Sequence, residues 1–177
     1  MVQAAQRGLA ALLDGICRAA LFISGIALLA MTGVVAYAVF GRFVLNDTPA
    51  WAESAAMLLM AWVIMGAAAV GVREGFHMGF DVLKAVLPAP IGRLFDVLSD
   101  LCITAFGIGM AWFTAELALE VTDTTLPTLG LNGAVEYLPL MLGGVLITLF
   151  GVERLLAHAA GMQAPADTHP TPILTDA

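Results

Sequence analysis

The chain has 177 residues, of which 60% are hydrophobic and 12% charged, with a mean hydropathy of +0.94 and a net charge of −7. This composition excludes an ordinary soluble domain, and the length allows one helical unit with no separate soluble domain. In a soluble protein the acidic balance would argue against nucleic acid or anionic lipid as a partner; here it says little, because orientation in a membrane follows Lys and Arg near helix ends and not net charge.

Four runs free of charged residues, 19–41, 54–72, 101–115 and 137–152, organise the chain. About 20 mainly apolar residues cross ~30 Å of hydrocarbon. The expected fold is an all-α integral membrane protein with four transmembrane helices plus amphipathic interfacial helices.

Residues 1–18 read as an amphipathic interfacial helix, because Leu9, Leu12, Leu13 and Ile16 recur at helical spacing. The first crossing follows at 19–41. Ala36-Tyr37-Ala38 has the form of a signal cleavage site. The apolar run before it is longer than the ~7–15 residues of a signal core, so an uncleaved helix is expected.

Polar residues then gather at both ends of the second crossing, 51–72. At its start, Asp47 or Thr48 can cap the helix with Pro49 in the first turn. Trp51 suits the interfacial belt, and Glu53 falls where the helix dipole favours an anion. Arg42 lies within reach of Glu53, as an interfacial ion pair or as a contact to a partner. At the other end, Arg73, Gly75, His77 and Asp81 lead into a second interfacial helix, 76–87, with Phe76, Phe80, Leu83 and Leu87 on one face before Pro88 and Pro90.

The third crossing is placed at 94–118 and the fourth at 137–157. Their charge-free cores are short, so they borrow flanks carrying Asp96, Asp100, Glu153 and Arg154, whose side chains are expected to reach back to the headgroups. Ile91, Leu94, Phe95, Leu98 and Cys102 form a stripe on the third helix. Residues 161–177, rich in Pro, Thr and Asp, read as a disordered tail.

Six of the seven cations (Arg7, Arg18, Arg73, Lys84, Arg93 and Arg154) fall on one side of this four-crossing scheme, and Arg42 alone on the other. Both termini and the middle loop are therefore expected in the cytoplasm. The acidic outer loops carry Asp47, Glu116, Glu120 and Asp123, which suit either a solvated loop or a docking surface.

Chemistry is sparse. Cys17 and Cys102 sit near cytoplasm-facing ends and read as small apolar residues, without a disulfide. His77, His158 and His169 lie outside the apolar runs, which disfavours a haem-binding anchor subunit of a redox complex. A self-sufficient four-helix exporter needs an embedded acid, and the nearest candidate, Glu53, stands at a helix start. No catalytic, cofactor or metal site is expected, and the chain is not read as an enzyme. Ala67 with Gly71, and Gly107 with Ala111 and Ala115, have small-xxx-small spacing for close helix packing.

In order and spacing, Arg42, Asn46, Trp51, Glu53, Gly66, Arg73, Gly75, His77, Asp81 and Leu87-Pro88 resemble the small membrane subunit (DctQ or SiaQ type) of tripartite ATP-independent periplasmic (TRAP) transporters. The stretch Thr125-Leu126-Pro127 through Leu131, with Tyr137-Leu138-Pro139, resembles that family's approach to helix four. Ser54 and Met57 depart from its usual Glu and Arg, and Asn132 and Ala134 from its usual Pro and Trp. The resemblance implies a non-catalytic subunit in the inner membrane of a bacterium or archaeon. It would scaffold a large DctM/SiaM-type subunit in sodium-driven uptake of an organic acid delivered by a periplasmic solute-binding protein. Lipid and these two proteins are the implied partners. Arg42, Asn46, Trp51, Glu53, Arg73, His77 and Asp81 are the implied structural or contact residues.

Overall fold

The computed structural model describes residues 2–47, 49–74 and 89–159. The expected interfacial helix at 76–87, with His77 and Asp81, the cap candidate Thr48 and the tail 161–177 lie outside the described residues. Four helices account for most of the rest: α1 (Val2–Phe40), α2 (Ala50–Glu74), α3 (Ala89–Glu120) and α4 (Leu138–Ala159). Segments long and apolar enough to cross a membrane run over Leu12–Leu45 (α1 and the turn that follows it), Ala50–Glu74, Leu94–Glu120 and Leu138–His158. The fold is an all-α, four-helix membrane architecture.

α1 has no proline and continues unbroken through residues 18 and 19. Its 39 residues give a rod of about 58 Å, at 1.5 Å per residue. A π-helical turn, Gly41–Leu45, ends it, and Asn46 in the left-handed region (φ 51°) donates its N–H back to the Gly41 carbonyl. Asp47 N–H reaches the same carbonyl at 3.0 Å. Asn tolerates this conformation better than most residues. Gly41 is needed because a Cβ there would stand 2.7 Å from the Asp47 carbonyl oxygen. Pro90 and Pro139 fall in the first turns of α3 and α4, where a missing N–H costs nothing.

α1 packs on α2, α2 on α4, and α4 on α3. A buried core of Leu13, Cys17, Ala20, Ala69, Val70, Ile147 and Phe150 joins α1, α2 and α4. Lipid tails are as apolar as leucine, so close backbone approach and polar contacts drive such packing. On α3 and α4 the contacts step antiparallel. Thr104 fills the space beside Gly151, Ile147 and Thr148 lie over Gly107, and the Ala111 backbone stands 2.7 Å from where a Gly144 Cβ would be. Ser24 of α1 occupies the place of a Gly66 side chain on α2, and its hydroxyl donates to the Trp62 carbonyl at 3.4 Å. Met65 covers Gly143.

Two sequence expectations change here. The Gly107–Ala111 stripe does mediate close packing, but Ala67 is exposed and a Cβ on Gly71 would meet nothing within 4 Å. Helix α2 turns Gly66 and Ala69 toward its neighbours instead. The stripe on α3 faces outward: Leu94 is 66% exposed, while Asp100 is 1% and Thr104 6%. Asp100, Glu153 and Arg154 therefore do not reach for headgroups. In an apolar solvent the polar face turns inward, where its groups can pair.

Candidate functional site

The inward polar side chains meet at the end of the bundle where α2 finishes. Arg73, the penultimate residue of α2, is 8% exposed. Its Nη1 contacts Asp14 Oδ1 of α1 at 2.5 Å, and its Nε and Nη2 contact Glu153 Oε2 and Oε1 of α4 at 3.1 and 3.5 Å. The fork-on-fork geometry with Glu153 suits a guanidinium and not an ammonium. The Arg73 guanidinium also lies 5.5 Å from the ring centroid of fully buried Phe150, a cation–π contact strengthened by desolvation.

Next to it, Arg154 of α4 donates from Nε to Asp100 Oδ1 of α3 at 2.9 Å, and from Nη1 to the Val72 carbonyl of α2 at 3.2 Å. The second contact satisfies one of the carbonyls that a helix C-terminus leaves without a partner. Asp100 Oδ2 stands 3.2 Å from His158 Nε2, one turn beyond Arg154. The angles there fall short of a hydrogen bond, and both atoms are buried without such a partner among the described residues. Together these contacts form a polar clamp that ties α1 to α2, α2 to α4 and α4 to α3. Arg73, Glu153, Arg154 and Asp100 are largely desolvated, whereas Asp14 is exposed and His158 partly so; removing one of the four buried partners leaves an uncompensated buried charge, at a cost of about 3–5 kcal/mol.

At the other end the chain closes differently. Tyr37 of α1 stacks on Trp51 of α2, with ring centroids 6.0 Å apart and planes at 24°. The connection from α3 to α4 folds on itself through an antiparallel bridge between Thr125 and Asn132. Gly130 there adopts φ +65°, and a Cβ on Gly133 would stand 2.5 Å from Thr124 Oγ1. The Asn132 side chain accepts from Ala134 N–H at 2.8 Å and donates to the Thr122 carbonyl at 2.6 Å. It thereby caps the 3-10 turn Gly133–Glu136 and pins it to the end of α3. The Ser54 and Thr128 hydroxyls, 2.7 Å apart, join this loop to the start of α2.

Of the residues singled out in the sequence, the structure recruits Arg73 to the clamp, Asn46 to the turn after α1 and Trp51 to the stack on Tyr37. Arg42 and Glu53 are both exposed and form no ion pair with each other among the described residues; the Arg42 guanidinium lies 6.0 Å from the Phe43 ring centroid. Asp47, Glu116, Glu120 and Asp123 are exposed at the same end as Trp51. Sequence reasoning missed Asp14, Asp100, Glu153, Arg154 and His158 as a set. Asp100 with Thr104, four residues apart and opposite the Leu94–Leu98 stripe, was the available signal. No group of three or more His, Cys, Asp or Glu among the described residues is arranged to hold a metal ion. The clamp carries charge in a form fit for joining helices.

Comparison with known proteins bears on the same stretch. The family described as "Tripartite ATP-independent periplasmic transporters, DctQ component" matches residues 31–161. A protein described as "C4-dicarboxylate TRAP transporter small permease protein DctQ" from Vibrio cholerae is 32% identical over 89 residues, which cover 50% of this chain and 36% of that protein. A protein of the same description from Rhodobacter capsulatus is 30% identical over 121 residues, covering 67% of this chain and 53% of that protein. The matched stretches thus span between about a third and about half of those relatives' lengths.

Proposed function

Because this chain belongs to the DctQ component family of tripartite ATP-independent periplasmic transporters, we propose that it is the scaffolding small subunit that seats a large DctM-type membrane subunit in the bilayer. The family makes it a multi-pass transport component and not an enzyme. The observation that carries the scaffold reading is the division of labour between its side chains. Four charged groups at one end of the bundle are engaged helix to helix, in Arg73–Glu153 and Arg154–Asp100. Large apolar side chains such as Phe22, Leu29, Met57, Met60, Phe106, Trp112 and Phe113 are left outward. A unit fixed internally and apolar externally is suited to pack against another membrane protein while holding its own shape.

In this proposal both termini and the segment between α2 and α3 face the cytoplasm of a bacterium or archaeon, following the distribution of cations. The clamp then lies at the cytoplasmic end. Transport is sodium-driven and the solute an organic acid; the relatives' descriptions favour a C4-dicarboxylate. Asp47, Glu116, Glu120 and Asp123 offer an acidic face to a periplasmic solute-binding protein, supported by the rigid turn that Asn132 holds. Charge reversal at Glu116 and Glu120 tests that contact: unchanged uptake and unchanged binding-protein affinity remove it.

The scaffold reading is tested by co-expression with a DctM-type large subunit and gentle extraction. A stable one-to-one complex, with vesicle uptake that fails without this chain, supports it. A homodimer that moves solute alone overturns it in favour of a small exporter, and haem absorbance in the purified protein favours a redox anchor.

A further inference from the structure

We draw no further inference here: the strongest candidate, the shallow apolar groove of about 420 Å³ between α3 and α4 lined by Ile108, Ala111, Trp112, Met141, Val145 and Leu149, opens outward from the bundle and nothing in the structure shows what covers it.

Discussion

Arg73 and Glu153, separated by 80 positions in the chain, meet across the α2–α4 interface at 3.1 Å with only 9% and 10% of their side chains exposed. The Arg73 guanidinium lies over the Phe150 ring, 5.5 Å from its centroid. Desolvation makes such a contact costly to break and sensitive to geometry.

Arg73→Lys is therefore expected to destabilise the protein nearly as much as Arg73→Ala, because an ammonium cannot reproduce the fork to Glu153 while reaching Asp14. The expected loss is about 3–5 kcal/mol for Arg73→Ala. Thermal or denaturant unfolding in detergent, with the Arg73→Ala/Glu153→Ala cycle, measures it. A coupling energy near zero would show that the two side chains do not act together.

Asp100 and Arg154 behave as a unit. Asp100→Leu or Arg154→Leu alone leaves a buried charge without its partner. The double variant Asp100→Leu/Arg154→Leu removes both and is expected to be more stable than either single change. Comparison of the three melting temperatures decides this; a double variant at the simple sum of the singles contradicts it.

Glycine positions separate packing from mere composition. Gly144→Val should cost at least about 1–3 kcal/mol by overpacking, since even its Cβ would stand 2.7 Å from Ala111 N. Gly71→Ala meets open space and should stabilise the helix slightly, by up to about 1 kcal/mol. Unfolding of the two variants side by side tests the orientation of α2 and α4 at once. Equal effects would mean that the interfaces are elsewhere.

Arg42→Ala and Glu53→Ala should each leave the isolated subunit's stability within about 0.5 kcal/mol of the parent, because the two side chains are exposed and unpaired with each other. If either variant nevertheless weakens co-purification with the large subunit, that residue belongs to the interface between subunits. Asn132→Ala, by contrast, removes both a cap acceptor and a donor. It should cost about 1 kcal/mol and raise hydrogen exchange across residues 122–136, which exchange-detected mass spectrometry reads directly.

Much of the architecture was legible without coordinates. The charge-free runs and the Gly107–Ala111 spacing sufficed to place the crossings and one interface; Pro90, read as a break after 76–87, instead falls in the first turn of α3. The run-end charges misled because sequence position puts Asp100 and Arg154 at the margin of a crossing, where reaching outward is the ordinary solution. Their partners come from other helices, and no local pattern names them. Gly71 misled for a related reason: spacing marks a face of α2, while the neighbour that face meets is set elsewhere.

What the sequence by itself determined is the solvent and the element count. Runs of apolar residues too long for anything but helices in lipid leave no other way to satisfy the backbone. The rotation of each helix about its axis, and with it the pairing of Asp14, Arg73, Glu153, Arg154 and Asp100, was decided only by tertiary structure. Each helix on its own can face its charge inward or outward. Only when four helices bring acids and bases within 4 Å of one another does the inward choice become the cheaper one.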